Sequence, residues 1–388
     1  MTDWAAFQYE IYGAGVFTGA VPRLPTDLTR LEEVARQRLG PGPFGYVAGS
    51  AGDGKTARAN RRALDRYEIV PRMLRDVSAR DLSVELFGRK TASPLALAPV
   101  GVQSIMHPDG EVAAAKAAAA QSIPFILSSA SSTPMEQVAE AMRDAERWFQ
   151  LYWPKDPEVT KSFLARAKNS GYRVLVVTLD TFMLAWRPTD LDTAYLPFLR
   201  GVGTANYFTD PAFEAGLGKP VHEDPRAAVM HFVQLFNDAS KTWDNLPFLR
   251  EHWDGPIVLK GIQHPDDARK AVDAGVDGVV VSNHGGRQVN GAIGAADALP
   301  GVVEAAGDRL EILFDSGIRT GDDIAKALAL GARGVLLGRP YMYGLGIDGQ
   351  PGVEHVIRCI LAELELTLAL AGHSSVGSLS PADLHRTS

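Results

Sequence analysis

From Leu95 onward the chain alternates short apolar runs with longer amphipathic segments. The runs stand at Leu95 to Ala98, Phe125 to Leu127, Trp148 to Leu151, Arg173 to Thr178, Pro256 to Lys260, Gly278 to Ser282, Glu311 to Asp315 and Gly334 to Leu337. Their unbroken Val- and Leu-rich character predicts strands buried on both faces, as in a parallel sheet. Gly110 to Gln121, Pro157 to Ser170, Pro265 to Ala274 and Gly321 to Leu330 carry helical spacing between them, so the pattern is a repeated βα unit. Eight such units close most simply into a (β/α)8 TIM barrel, with the functional site at the strand C-termini. The stretch Thr181 to Asp254 is too long for a plain connection and rich in Pro, Gly, Asn and aromatic residues. It predicts an insertion after strand 4, lying over the barrel mouth, with helices near Pro225 to Asn237 and Trp243 to His252.

Ahead of the barrel, Leu28 to Leu39 has helical spacing, and Gly40-Pro41-Gly42-Pro43 is expected to stop that helix. A basic helix follows around Thr56 to Leu64, and Leu82 to Leu86 with a turn at Gly88 predicts a small hairpin. Residues 1–388 are therefore expected to form one domain: a helical cap over 1–90, the barrel over 91–388, and a lid region over 181–254.

Composition narrows the partners. A net charge of −7 with scattered basic residues gives no footprint for nucleic acid. The lone cysteine, Cys359, can build neither a disulfide framework nor a thiolate metal site, and no metal is expected. Met1-Thr2-Asp3-Trp4 lacks a basic-then-apolar leader, and no apolar run approaches the ~20 residues a bilayer requires. A cytoplasmic chain without membrane contact is the expectation.

The polar residues ending the strands carry the chemistry: Pro99-Val100-Gly101, Ser128, Gln150-Leu151-Tyr152, Thr178-Leu179-Asp180, Lys260, Ser282-Asn283-His284, Asp315-Ser316-Gly317 and Gly338-Arg339. Alone, a strand-end Ser, Thr or Asp caps the next helix as readily as it binds a ligand. An ammonium at the end of a buried strand, Lys260, needs an anionic partner. His284 is followed by Gly285, Gly286 and Arg287, so backbone there can approach a ligand closely. Arg319 and Arg339, beside Gly317 and Gly338 at strands 7 and 8, stand where barrels hold a phosphate. No GxGxxG follows a strand, which disfavours a dinucleotide fold.

Ser282 to Gln288, Leu259-Lys260-Gly261, Phe149-Gln150-Leu151-Tyr152, Asp315-Ser316-Gly317-Ile318-Arg319 and Gly338-Arg339-Pro340 together resemble the FMN-dependent L-2-hydroxy-acid oxidase and dehydrogenase family, in order and over nearly the whole chain. Segments outside those motifs, among them Pro71-Arg72-Met73-Leu74 and Pro197-Phe198-Leu199-Arg200-Gly201, resemble its lactate 2-monooxygenase branch. The resemblance implies that FMN is the cofactor, that a small L-2-hydroxy acid and O2 are the reactants, and that the chain assembles as a homotetramer or homo-octamer. It implies that His284 is the base for the substrate hydroxyl, by a hydride or a carbanion route, with Asp180 holding the ring and favouring its protonated form. Arg187 and Arg287 would clamp the carboxylate, with Tyr46 and Tyr152 as hydrogen-bond donors. Lys260, Ser128, Gln150, Thr178 and Ser282 would meet the flavin ring beside Pro99, Val100 and Gly101. Asp315 would meet the ribityl chain, and Gly317, Arg319, Gly338 and Arg339 the phosphate end. Two positions depart from the commoner pattern, Ala130 in place of Trp and Gly101 in place of Ala; the first predicts a roomier pocket, the second a change in oxygen access or in the retention of pyruvate and peroxide together. The implied outcomes are oxidative decarboxylation to acetate, CO2 and water, release of keto acid with H2O2, or electron transfer as a dehydrogenase; a non-catalytic flavin-binding barrel is the alternative of another class.

Overall fold

The computed structural model describes residues 3–236 and 238–387. Eight parallel strands close into a barrel: β1 (Leu95–Leu97), β2 (Phe125–Ser128), β3 (Arg147–Leu151), β4 (Leu175–Thr178), β5 (Ile257–Ile262), β6 (Gly278–Val281), β7 (Glu311–Phe314) and β8 (Gly334–Leu337). Each strand pairs with its neighbour in sequence, and β8 closes on β1 with Val335 opposite Leu95 and Leu337 opposite Leu97. All eight runs marked by hydrophobicity are strands, with ends shifted by one or two residues.

Strand residues alternate between two apolar layers, which is why each run reads as continuously hydrophobic. Ala96, Ile126, Trp148, Val176, Val258, Val280, Leu313 and Leu336 fill the interior. Leu95, Phe125, Phe149, Leu175, Leu259, Val279, Ile312 and Val335 join the larger core shared with the surrounding helices. The hairpin Val84–Leu86/Arg89–Thr91 turns at Phe87 and Gly88, both with positive φ, as a two-residue turn requires. Its Phe87 packs edge-on against Trp148 at 5.4 Å and plugs the N-terminal end of the barrel. One end is thereby closed.

The cap differs from expectation at one point. Pro41-Gly42-Pro43 does not merely end a helix; Pro41–Ala48 is itself helical, with Pro at the first turn, where its missing N–H costs nothing. That short helix carries Tyr46 and Val47 to the open end of the barrel. The insertion forms short helices, including Pro188–Asp192, Pro225–Phe236 and Leu246–His252; Asn237, the expected end of one, lies outside the described residues. No helix among the described residues is long and apolar enough to cross a membrane. The kinked final helix, Arg339–Leu370, begins at the end of β8 and buries Cys359.

Candidate active site

The C-terminal ends of the strands, the helix Pro41–Ala48 and the insertion surround a cavity that is open on one side. Tyr46, Pro99, Val100, Gly101, Tyr152, Arg187, Lys260, His284, Arg287, Asp315, Gly317, Arg319, Gly338 and Arg339 line it. Ser128, Gln150, Thr178, Ser282 and Asp180 are not on its wall; they lie one layer behind. There Ser128 donates to Gln150 at 2.8 Å and Gln150 to Thr178 at 2.9 Å, a chain across β2, β3 and β4 that rigidifies the cavity floor.

His284 is held by its backbone and by its ring. His284, Gly285 and Gly286 run consecutively through left-handed conformations, at φ of 59°, 64° and 78°. A Cβ on Gly286 would come within 2.5 Å of the Ala57 backbone nitrogen, which demands glycine; at Gly285 the positive φ favours glycine, and a Cβ there would push aside the tip of Arg339 at 2.7 Å. A histidine in this region is strained, as is common where a side chain is being aimed at a site. Its Nδ1 lies 2.8 Å from Asp180 Oδ1, and Thr181 Oγ1 is 3.2 Å from the same nitrogen.

Asp180 favours the protonated ring, as expected, against opposing contributions. Burial pulls the His284 pKa below its ordinary value, Lys260 and Arg187 add to that, and Asp180 only partly offsets them. Burial pushes the Asp180 carboxyl up, but the His284 contact, Lys260 and Thr181 outweigh it and leave the group below the usual range. Asp180 is therefore ionised while His284 rests neutral rather than protonated. Nδ1–H then donates to Asp180, and Nε2 carries the free lone pair.

Lys260 Nζ lies 3.0 Å from Asp315 Oδ2 and donates to Ser282 Oγ at 3.0 Å. Burial opposes its charge, but Asp315 and Asp180 outweigh that and raise its pKa. Ser316, quoted in the sequence motif without a role, organises this corner: its hydroxyl donates to Asp315 at 2.6 Å and accepts from the Asn283 and Gly285 N–H groups.

The guanidinium of Arg287 lies 5.1 Å from the Tyr46 ring centroid and donates to the Gly49 carbonyl at 2.8 Å. Arg187, brought in by the insertion, is buried beside it; burial and the Arg287 charge push its pKa down to about 10. Burial raises the pKa values of Tyr46 and Tyr152, keeping both phenols protonated as donors. Leu184, Phe198 and Phe236 complete the wall from the insertion. Phe198 lies in the quoted segment Pro197 to Gly201 but was given no role there, and no signal marked Leu184 or Phe236, because their position depends on how the insertion folds back.

Arg319 and Arg339 also face the cavity, Arg339 sharing the Gly49 carbonyl with Arg287, and neither is paired with a carboxylate among the described residues. Burial depresses both, Arg339 to about 10. Arg339 also donates to the carbonyls of Val47 at 3.0 Å, Gly285 at 2.9 Å and Gly49 at 2.8 Å, so it joins cap to barrel as well as facing the cavity. Two desolvated cations beside the N-terminus of the helix starting at Arg339 form an environment that calls for a polyanion. With Lys260 facing the middle of the cavity, the donor set fits a phosphorylated flavin mononucleotide.

The sequence model of the FMN-dependent dehydrogenase family matches residues 35–386. The FMN-dependent alpha-hydroxy acid dehydrogenase qulF of Penicillium citrinum is 46% identical, covering 100% of this chain and 97% of that protein. An L-lactate oxidase of Lysinibacillus sphaericus is 43% identical over 92% of this chain and 91% of its own. Among solved structures, mandelate oxidase superposes with a TM-score of 0.82 at 37% identity, covering 93% of this chain and 98% of that one.

Proposed function

The chain belongs to the FMN-dependent dehydrogenase family and acts by FMN-dependent oxidation of alpha-hydroxy acids; from that premise we propose that its substrate is L-lactate or a similar small L-2-hydroxy acid, with O2 as the acceptor. The observation that carries the reading is a neutral His284, held by Asp180 at 2.8 Å, in the same cavity as Arg187 and Arg287. The two guanidinium groups bind the substrate carboxylate, and Tyr46 and Tyr152 donate to its oxygens. Nε2 of His284 takes the hydroxyl proton, and Asp180 stabilises the imidazolium that results. FMN, when bound, supplies the acceptor for the α-hydrogen and its two electrons. Lys260 places positive charge where its ring would lie, and Arg319, Arg339 and the Gly338 turn hold its phosphate.

For the fate of the keto acid, Leu184, Phe198 and Phe236 supply part of the cavity wall from the insertion, and a site that closed over its products would keep keto acid and peroxide together long enough to react. The net reaction is then lactate plus O2 giving acetate, CO2 and water, in keeping with the likeness to lactate 2-monooxygenase in the segments outside the catalytic motifs. The 43% identity to a protein named L-lactate oxidase favours a second reading, release of pyruvate and H2O2.

One experiment separates them. Turnover of L-lactate in air, with pyruvate, H2O2, acetate and CO2 measured together, is expected to give acetate and CO2 in equal amounts and no free peroxide. Stoichiometric H2O2 would instead establish the oxidase. Mixed anaerobically, L-lactate is expected to bleach the bound flavin; if no 2-hydroxy acid does so, both readings fail.

A further inference from the structure

Gln288 closes the loop that carries His284 and Arg287, and the ends of its amide meet opposite kinds of partner. Its Oε1 accepts from Nη2 of Arg187 at 2.5 Å. Its Nε2 donates to the backbone carbonyl of Asp180 at 2.5 Å and to that of Met183 at 3.1 Å. A guanidinium can only donate and a carbonyl can only accept, so the orientation of the amide is fixed. One side chain thus ties three segments together: the end of β4 that bears Asp180, the first turn of the insertion, and the loop after β6.

The partner at Arg187 is also notable for being uncharged. Arg187 is buried and stands beside Arg287, whose backbone carbonyl accepts from its Nε at 3.0 Å. Among the described residues no carboxylate lies within ion-pair distance of it; Asp190, 4.0 Å from Arg287, acts on Arg187 only from farther off. A neutral acceptor aims a guanidinium without cancelling its charge, whereas a carboxylate of the same length would do both.

We propose that Gln288 is a positioning residue: it sets Arg187 in register with the Asp180–His284 pair and, being neutral, leaves the guanidinium charge for the carboxylate of the 2-hydroxy acid. This rests on the reading of Arg187 as the carboxylate clamp.

The test uses the flavin-loaded enzyme, binding of oxalate followed by the flavin spectrum, and anaerobic reduction by L-lactate in a stopped-flow instrument. Gln288→Glu keeps the length and the acceptor and pairs with Arg187, but it loses the donor to the Asp180 and Met183 carbonyls. It is expected to retain flavin, to raise Kd for both oxalate and L-lactate at least tenfold, more than Gln288→Met does, and to lower the saturating reduction rate no further than Gln288→Met does. Gln288→Met removes acceptor and donor, so Kd rises and the saturating rate falls together, with the acid limb of the rate profile displaced through Asp180. A Gln288→Glu enzyme that binds both ligands within twofold of the parent overturns the role of Gln288 and leaves the reaction standing. Loss of flavin from both variants would mark a residue of the fold and overturn it equally. Oxalate binding indifferent to Arg187→Lys would remove the clamp, and the proposal with it.

Discussion

At the level of single residues, the Asp180–His284 pair sets the pH behaviour. Because burial depresses His284, the base stays unprotonated as pH falls through the ordinary imidazole value of about 6.5. The acid limb of kcat/KM is expected below that pH, and Asp180→Asn, which removes the contribution that raises the ring, should move the limb lower still while reducing the plateau. His284→Ala should keep its FMN absorption yet reduce flavin about 10²–10⁴-fold more slowly, the usual worth of a positioned base; fast reduction by that variant would overturn the assignment. Gly101 is constrained in a different way. A Cβ there would sit 2.7 Å from the Ala130 carbonyl and 3.0 Å from its Cβ, so the two departures noted in the sequence are one packing unit. Gly101→Ala must displace the Ala130 strand end, at an expected cost of about 1–3 kcal/mol, readable in a denaturant titration.

Among the elements, the hairpin plug and the insertion divide the work of closing the barrel. Phe87 sits at the end away from the chemistry and packs on Trp148. Phe87→Ala is expected to lower stability by about 3 kcal/mol while KM and the flavin spectrum stay unchanged; an altered KM would show that the two ends communicate. The same contrast explains what could be read from sequence. The strands were legible because burial on both faces leaves an uninterrupted apolar run, and their polar ends followed. Pro41-Gly42-Pro43 misled, because Pro opens a helix as readily as it ends one and only tertiary packing decides. The net bias on His284 was not legible for a related reason: Asp180 is visible in the motif, but the desolvation and the Lys260 charge acting against it are properties of the assembled cavity. Gln288 stood in the quoted motif, yet its three partners come from segments about a hundred residues away.

For the molecule as a whole, the proposed phosphate contact and the attachment of the cap share one side chain. Arg339 bonds to Val47, Gly49 and Gly285 while lining the cavity. Arg339→Lys keeps the charge but cannot span three carbonyls, so flavin is expected to dissociate at least tenfold more readily, measured by the fluorescence of released FMN on dilution; unchanged retention would mean that the cap holds without it.

The cavity is drawn from two sources with unequal freedom. Gly285 and Gly286 hold positive φ, and a Cβ on Gly286 would collide with the Ala57 backbone, while Leu184, Phe198 and Phe236 come from the insertion and touch none of the proton-handling groups by hydrogen bond. Selection for a new side chain on the hydroxy acid therefore has a route through the insertion that leaves the chemistry intact. A mutant library confined to 184, 198 and 236 should yield altered selectivity at little loss of turnover, whereas one at 285 and 286 should return only the parent.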